Sequence, residues 1–422
     1  MKMSELLLGI ENCECKKNHP CTIKVVEIGR GVINKLSKIS ENYTNILLVA
    51  DENTYRVGGA SVESALGDKI KDRVIFSGAE LLIPNETAIN TINEKITDKT
   101  DLIVGIGSGV INDLCKYTSH TANIPYHIVA TAPSMDGYAS RGAALILGGM
   151  KVMLDARVPE AIIADTDIFK TAPDEMILAG FGDIMGKYSC LSDWQLSTLV
   201  NGEYMCERVL SATYDEVFKV RALAGGLQRR DEAALDALMS ALVAVGILMA
   251  YVGNSRPASG SEHHFSHFFE IVGIVKNENY LHHGTDVFYS AVETAKIREE
   301  ILKIDSLDGF SPIFNRDKYE SEIKRIYGSV ADEVIALQNK LGWYEKREER
   351  LNIYREKWGE IKALLKKAPS PDEMLSILSS VDMKYSDFVD FYGEKKIKDA
   401  YLYSKDLKDR YTVLWLYSDL FM

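Results

Sequence analysis

The sequence predicts two domains: an α/β layer built on a parallel sheet over residues 1–170, and an all-helical domain over residues 171–422. Short β-branched apolar runs recur along the first domain, and segments with helical spacing separate them. Strand-like runs disappear after about residue 170. A chain of 422 residues is also too long for one ordinary hydrophobic core, so two domains are expected.

Four apolar runs in the first domain are predicted strands, at 46–50, 74–76, 102–104 and 127–130. Continuous apolar runs, unlike alternating ones, indicate strands that are buried on both faces of a sheet. Predicted helices around 61–70 and 87–96 lie between these strands. This alternation is typical of nucleotide-binding α/β layers.

Long stretches rich in Leu, Ala, Glu, Lys and Met predict the helical domain, at 231–249, 319–341 and 345–367. Apolar positions recur there at helical spacing. A boundary near Pro173 fits this division, because Asp174 could cap a helix that begins at Glu175.

Composition excludes several classes of protein. A formal net charge of −12 opposes binding to nucleic acids, whose backbones are also negative. The apolar stretch at 6–10 is too short for a signal peptide, and no run is predicted to reach the length of a transmembrane helix. We therefore expect a cytoplasmic protein without nucleic-acid or membrane partners.

Long helices with apolar faces make a homodimer the expected assembly.

Three of the six cysteines lie close to a histidine near the N-terminus, in the pattern Cys13-x-Cys15-x3-His19-x-Cys21. A zinc knot is one interpretation of this pattern. It lacks the paired Cys-x2-Cys spacing of structural zinc sites, so ordinary surface or strand cysteines are the favoured interpretation.

A strand, a glycine turn and a helix start occupy residues 102–113, with glycines at 105, 107 and 109. Glycines let the backbone approach a pyrophosphate closely and present its N–H groups to it. The standard dinucleotide fingerprint would need a glycine where Val110 stands. A tight turn that binds nothing is therefore an equal alternative for this segment alone.

Two further strand ends support a ligand site. Asp51 follows the strand at 46–50, where a carboxylate can bind the ribose hydroxyls of NAD and repel the 2′-phosphate of NADP. A helix cap or a turn is the favoured interpretation of this residue taken alone. The polar segment 131–140 follows the strand at 127–130. Parallel strands end at one edge of a sheet, so three such ends favour a shared cleft.

Five of the eight histidines fall between His263 and His283. His263 and His267 are four residues apart and share one face of a helix. Imidazole is the commonest ligand for transition metals, and two histidines with one carboxylate leave positions open for a substrate. Asp183, among apolar and small residues, is the candidate carboxylate. Surface or core histidines are the alternative, which the clustering disfavours.

Taken together, these segments resemble the sn-glycerol-1-phosphate dehydrogenase family. That family groups with iron-containing alcohol dehydrogenases, glycerol dehydrogenase and dehydroquinate synthase. The resemblance covers roughly residues 10–300 and is carried by segments 109–113, 131–140, 182–183, 255–264 and 283–284. It implies a dehydroquinate synthase-like architecture, with an α/β NAD-binding domain and a helical metal- and substrate-binding domain.

The resemblance also implies roles for individual residues. Asp183, His263 and His283 would be metal ligands, with His282 as an alternative to His283. Asp136, Asp183 and His267 would be catalytic and contact the substrate. The dinucleotide would be contacted by Asp51, Gly109, Val110, Ile111, Asn112, Asp113, Thr131, Ala132, Pro133, Ser134 and Ser140. Val110 stands where archaeal-type members often carry lysine, which leaves both NAD(H) and NADP(H) open.

The implied activity is the reversible reduction of dihydroxyacetone phosphate to sn-glycerol 1-phosphate by NAD(P)H, in phospholipid biosynthesis. One divalent zinc or nickel ion would act as a Lewis acid on the carbonyl. His267 could pass a proton or hold a hydroxyl, or merely orient His263. Arg256 and Lys187 are candidate cations for the phosphate. The alternative function is a glycerol or other polyol dehydrogenase for an unphosphorylated substrate.

Overall fold

The computed structural model of the protein describes residues 1–148, 150–310 and 314–422. The chain forms two compact units. One contains Met1–Ile184 and Phe218–Asn254, and the other contains Met185–Val217 and Ser255–Met422. The sequence placed its boundary at residue 170, where the strands end. The first compact unit extends beyond that boundary, because a later helix, Glu232–Val252, returns to contact other elements of this unit.

The first unit contains a six-stranded parallel sheet with strand order β1-β8-β5-β4-β2-β3. A separate antiparallel hairpin consists of β6 and β7. The strands are β1 (Val25–Gly29), β2 (Ile46–Asp51), β3 (Ile70–Phe76), β4 (Leu102–Gly107), β5 (Tyr126–Ala130), β6 (Gly142–Leu147), β7 (Met150–Asp155) and β8 (Ala161–Asp165).

The helices of the described residues follow in chain order, and long ones dominate after residue 170. They are α1 (Met3–Leu8), α2 (Leu36–Ile39), α3 (Glu52–Leu66), α4 (Glu86–Asn93), α5 (Gly109–Ala122), α6 (Thr166–Phe169), α7 (Asp174–Asn201), α8 (Glu207–Ala222), α9 (Ala224–Leu227), α10 (Glu232–Val252), α11 (Ser261–Lys276), α12 (His283–Leu302), α13 (Arg316–Tyr327), α14 (Ala331–Leu341), α15 (Arg347–Leu365), α16 (Pro371–Ser379), α17 (Tyr385–Tyr403) and α18 (Val413–Phe421). Short 3-10 helices occupy Val32–Lys35, Gly67–Lys69, Asp136–Ala139, Gly328–Val330 and Ser404–Leu407.

The predicted architecture of a parallel sheet and a helical remainder is confirmed. All four predicted strands are present. Strands β2, β4 and β5 are buried because helices cover both faces of the sheet, whereas the edge strand β3 is buried only at Ile70 and Val74. On one face, Val62 of α3 packs in an apolar cluster with Leu48 and Val104. On the other face, the absence of a side chain at Gly105 lets Cys115 of α5 approach β4.

Several predicted helix bounds needed correction. The predicted helix at 61–70 begins at Glu52, because Asp51 caps it. The helix predicted to follow Asp174 begins at that residue. The single stretch predicted at 319–341 is two helices, α13 and α14, since Gly328 adopts a φ of +52° between them.

The strand order reverses direction between β2 and β4. The chain leaves β2 through α3 toward β3 on one side, and leaves β4 through α5 toward β5 on the other. Ala50 pairs with Ile106, so the next residues, Asp51 and Gly107, lie at the same edge of the sheet. Open α/β sheets bind their ligands at such a point, outside the carboxyl ends of the strands.

Helix α10 meets the length and composition of a membrane span, which the sequence was not expected to contain. However, 72% of its most apolar 18-residue stretch is buried in the protein. It packs on Asp136–Ala139 and on β1 within the first unit. A Cβ at Gly246 would lie 2.8 Å from the carbonyl oxygen of Asp136. These contacts are those of a core helix, which is apolar all round for the same reason as a membrane helix.

Close packing between α7 and the segment after β5 gives a test of this arrangement. A Cβ at Gly180 would lie 1.8 Å from the carbonyl oxygen of Pro133. We expect Gly180→Ala to lower the free energy of unfolding by about 3 kcal/mol through overpacking. Gly225→Ala is the matched control, because nothing lies within 4 Å of its added Cβ. Equal urea-unfolding midpoints for the two variants would contradict the packing described.

Candidate active site

The glycine loop after β4 leads directly into helix α5, whose first turn is capped by the loop itself. Ser108 caps α5, with its Oγ 2.6 Å from the backbone nitrogen of Gly109. The first-turn amides of Val110 and Ile111 have no acceptor within the helix. A Cβ at Gly107 would clash with Ile111, whereas one at Gly109 would meet only Met135 at 3.9 Å. Gly107 is therefore needed for packing, and Gly109 leaves room for a close ligand.

The segment after β5 lies directly beside this loop. The Oγ atoms of Ser108 and Ser134 are 3.2 Å apart, and the backbone nitrogen of Thr131 donates to the carbonyl oxygen of Gly107. Two of the three strand ends predicted to share a site are thus in contact. The third, at Asp51, is placed at the same edge by the β2–β4 register.

Asp51 performs the helix-capping role that was the alternative for it. Its Oδ1 accepts hydrogen bonds from the backbone nitrogens of Asn53 and Thr54, at 2.8 Å and 2.9 Å. The cap uses one carboxylate oxygen, and Oδ2 is left for another donor. Capping and ribose binding are therefore compatible at this residue.

Some residues predicted to contact the dinucleotide have side chains that hold the loops together. Ile111 is buried, and Asn112 donates to the carbonyl oxygen of Gly137. Asp113 accepts from the backbone nitrogen of Ala144. Ala132 is also buried, and its carbonyl oxygen accepts from the hydroxyl of Tyr138 at 2.7 Å. These side chains therefore shape the sheet edge.

Lys116, which the sequence analysis overlooked, is a fully buried cation at the centre of these loops. Its Nζ donates to Asp113 Oδ1 at 3.1 Å, to Ser140 Oγ at 3.3 Å, and to the carbonyl oxygens of Gly137 and Gly142. Lys116 thereby joins α5 to the turn that carries Asp136. Its only sequence signal was a lysine on an otherwise buried helical face.

The two predicted substrate-contacting carboxylates, Asp136 and Asp183, are neighbours within the first unit. Asp183 lies on α7 and is 1% exposed. Its Oδ2 accepts a hydrogen bond of 3.0 Å from the backbone nitrogen of Asp136. Because a backbone amide holds one carboxylate oxygen, the orientation of the Asp183 side chain is fixed.

The second unit brings together the three predicted functional histidines. His263 and His267 lie on α11, and His283 begins α12. The ring centroids of His263 and His283 are 5.0 Å apart, and His267 lies 6.3 Å and 5.7 Å from them. Two imidazoles on one tetrahedral ion have centroids about 5 Å apart, given metal–nitrogen distances of about 2.1 Å. The spacing of His263 and His283 fits such a pair.

Hydrogen bonds fix which nitrogen each ring can offer to a metal. Nδ1 of His263 lies 2.7 Å from Glu262 Oε1. Ser266 donates to the carbonyl oxygen of His283, so its Oγ can accept from Nδ1 of that ring at 3.1 Å. In these tautomers the lone pair of each ring is on Nε2. A carboxylate or hydroxyl behind the ligand is the usual support of a metal-binding histidine.

The surroundings of His263 favour its neutral, metal-binding form. Burial holds the pKa of His263 well below its ordinary value, and the nearby His283, Lys187 and Lys408 lower it further. Burial raises the pKa of Glu262 to about 8, with a contribution from the Asp193 carboxylate. Basic groups (Lys187 and Lys408) and acidic groups (Glu262 and Asp193) therefore both act on this part of the second unit.

Arg256, considered as a cation for the phosphate, is held by protein groups in this structure. Its guanidinium is buried and forms a two-pronged ion pair with Glu203, and Nη1 donates to the carbonyl oxygen of Tyr411. The fork that could grip a phosphate is therefore engaged with protein partners. Lys187 is also buried, and its Nζ donates to the carbonyl oxygen of Ala258 at 3.0 Å.

The network around Lys116 can be tested independently of any ligand. We expect Lys116→Met to lower the free energy of unfolding by about 3 kcal/mol, since it leaves Asp113 without its buried partner. Lys95→Met removes an exposed ion pair with Asp72 and is the control, with an expected change below about 0.5 kcal/mol. Similar losses for the two variants in chemical unfolding would show that Lys116 does not hold the loops.

Comparison with known proteins first identifies the class. A family model described as iron-containing alcohol dehydrogenase matches residues 27–173. The Red Sea brine pool archaeal alcohol dehydrogenase superposes with a TM-score of 0.60 at 12% identity, covering 97% of this chain and 99% of that one. An iron-containing alcohol dehydrogenase from Corynebacterium glutamicum gives 0.54 at 15% identity, with 88% and 85% covered. The fold is therefore that of the iron-containing alcohol dehydrogenases.

Proteins that are similar in sequence identify a family within the iron-containing alcohol dehydrogenase fold. A glycerol-1-phosphate dehydrogenase (NAD(P)+) of Geobacillus thermodenitrificans is 30% identical over 381 residues, which are 88% of this chain and 86% of that protein. The enzyme of the same name from Halalkalibacterium halodurans is 32% identical, covering 72% and 78%. The one from Bacillus subtilis is 31% identical, covering 70% and 77%. The chain belongs to the glycerol-1-phosphate dehydrogenase family, as the sequence resemblance implied.

Proposed function

We propose that this chain is an NAD(P)-dependent dehydrogenase that reversibly reduces dihydroxyacetone phosphate to sn-glycerol 1-phosphate. The observation that carries the proposal is the shared name of relatives that are 30–32% identical over most of the chain. The first unit supports it with a sheet edge suited to a dinucleotide. The second unit supports it with a histidine cluster suited to a divalent metal.

The dinucleotide would bind at the reversal point between β2 and β4. The amides of Val110 and Ile111 and the positive end of the α5 dipole would hold its pyrophosphate, which the missing side chain at Gly109 would let approach closely. The ribose hydroxyls would donate to Asp51 Oδ2. Thr131, Ala132, Pro133, Ser134 and Ser140 would contact the nicotinamide side of the cofactor, and Asn112 and Asp113 would hold the loops in place.

His263 and His283 would hold the metal, zinc or nickel, with Asp183 as the carboxylate ligand carried over from the family resemblance. When bound, such an ion supplies Lewis-acid polarisation of the substrate carbonyl. Glu262 and Ser266 would fix the two imidazoles through their Nδ1 atoms.

His267 would handle the proton of the reaction. As hydride reaches the carbonyl carbon, the oxygen gains negative charge and needs a proton. His267 is within 6.3 Å of both other rings, which places its imidazole one side chain away from the proposed metal ligands. Asp136 would bind a substrate hydroxyl, while its backbone nitrogen keeps Asp183 oriented.

The local charge supports a phosphorylated substrate over the alternative of an unphosphorylated polyol. Lys187 and Lys408 lower the pKa of His263, so both cations act on the histidine cluster. A phosphate dianion near that cluster would find cationic partners that a neutral polyol does not need. We propose Lys408, which is half-buried, as the cation that meets the phosphate.

Further properties follow from the same proposal. The product would enter phospholipid biosynthesis, and the enzyme would work in the cytoplasm as a homodimer. Neither nucleic acid nor a membrane is required as a partner.

The decisive assay is NADH oxidation by purified protein with dihydroxyacetone phosphate, before and after chelation and with zinc or nickel returned. We expect activity that depends on the metal, with kcat/KM for dihydroxyacetone lower by about 100-fold or more, because the cations would lose their phosphate. Activity on an unphosphorylated polyol alone would contradict the substrate and favour the polyol dehydrogenase.

Matched variants extend this assay to the metal ligands. His263→Ala, His283→Ala and Asp183→Ala should lose bound metal and lower kcat/KM by at least about 100-fold. His282→Ala is the control, because His282 is exposed and immediately precedes a proposed ligand. Loss of metal from His282→Ala with retention in His283→Ala would reverse the assignment of the third ligand.

Cofactor preference depends on the charge of Asp51. We expect Asp51→Asn to lower KM for NADPH by about tenfold, because it removes repulsion of roughly 1.4 kcal/mol on the 2′-phosphate. The amide oxygen of Asn can still cap α3, so stability should change little. An unchanged ratio of KM for NADH and NADPH would show that Asp51 does not contact the ribose.

A further inference from the structure

The N-terminal loop of the first unit gathers two thiols and an imidazole around one point. Cys13, Cys15 and His19 each offer a ligand atom, and these atoms lie within 4.8 Å of one another. Sγ of Cys15 is 3.2 Å from Nε2 of His19. Cys13 and His19 are buried. The linear spacing of these residues favoured ordinary cysteines, but the folded loop brings their side chains together.

The distances suit a tetrahedral metal. Zinc binds cysteine sulfur at about 2.3 Å and histidine nitrogen at about 2.0–2.1 Å. Ligand atoms on such an ion are therefore about 3.5–3.8 Å apart, which the cluster allows with little movement. Three protein ligands leave one tetrahedral position, for a water or a further thiolate.

His19 is oriented as metal-binding histidines are. Its Nδ1 donates to the carbonyl oxygen of Tyr251 at 2.8 Å, and the two rings stack with centroids 5.7 Å apart. With the proton on Nδ1, the Nε2 lone pair faces Cys15. A backbone carbonyl behind the ring is a common support for a zinc-bound histidine, since it fixes the tautomer and raises the basicity of the ligand.

The backbone of the loop is built to present these three side chains. Ile10 and His19 exchange two backbone hydrogen bonds and close the loop at its base. A turn joins the nitrogen of Lys16 to the carbonyl oxygen of Cys13, with Lys16 at a φ of +64°. The side chain of Asn18 accepts from the nitrogen of Asn12. Cys13 and Cys15 are therefore held beside His19 by local structure.

We propose that Cys13, Cys15 and His19 bind a zinc ion that is separate from the metal of the proposed active site. Binding would deprotonate both thiols and release their protons to solvent. The ion would be structural, because it would fix the N-terminal loop against Tyr251 at the end of α10. The inference does not depend on the proposed dehydrogenase activity.

Cobalt substitution of the full-length protein tests the site. Thiolate ligands give Co(II) a sulfur-to-metal charge-transfer absorption in the near ultraviolet, and the proposed active-site ligands include no cysteine. We expect the band in the wild type and a loss of at least half of its intensity in Cys13→Ser and Cys15→Ser. Absence of the band from the wild type would overturn the proposal.

Two controls come from the same unit. Cys21 lies in the same segment outside the cluster, and Cys115 is buried against the sheet, so Cys21→Ser and Cys115→Ser should keep the band. Equal losses in these variants would contradict the assignment. If a ligand variant fails to fold, zinc-edge absorption spectroscopy of the wild type decides, since a sulfur shell near about 2.3 Å is expected and nitrogen and oxygen neighbours alone would refute it.

Discussion

The structure of the first unit depends on one constraint: all six strands of its sheet run parallel. Each strand then needs a crossover before the next, and every carboxyl end faces the same edge. Residues far apart in the chain, Asp51, Gly109 and Thr131, arrive at that edge for topological reasons alone. The hydrophobic core around the sheet can be made of interchangeable aliphatic residues. The loops at the carboxyl ends of the strands carry the residues that are specific to a ligand.

The sequence predicted what depends on local patterns. Buried strands β2, β4 and β5 appear as apolar runs, because a sheet covered on both faces leaves no polar alternation. Only the apolar end of the edge strand β3 was predicted, because its middle is charged. Strand β8 carries the same kind of run at 161–164 and was overlooked rather than hidden. Strand β1 is half-buried at the sheet edge and contains Glu27, so its pattern is weaker. The histidine cluster was visible because His263, His267 and His283 occur on adjacent helices.

The features that the sequence analysis missed depend mostly on partners that are distant in the sequence. Arg256 is paired with Glu203, 53 residues away, and no local pattern relates them. Lys116 is satisfied mainly by oxygens 21 to 26 residues further on, in a loop whose path depends on the fold. The sequence analysis expected no run of membrane-spanning length, yet α10 has that length and composition, since a protein core and a bilayer select the same side chains. The Cys13–Cys15–His19 cluster escaped a rule based on spacing because the loop doubles back on itself.

Two contacts of Tyr251 delay the folding of the N-terminal segment while the chain is being synthesised. Its carbonyl oxygen accepts from His19, and its hydroxyl donates to the carbonyl oxygen of Leu6, across 232 and 245 residues respectively. At translation rates of about 5–20 residues per second, the ribosome needs roughly ten to fifty seconds to travel from one partner to the other. Until α10 has been synthesised, the segment that contains Cys13 and Cys15 cannot form its contacts with Tyr251. The segment around Cys13 and Cys15 is thus among the last parts of the first unit to reach its native contacts.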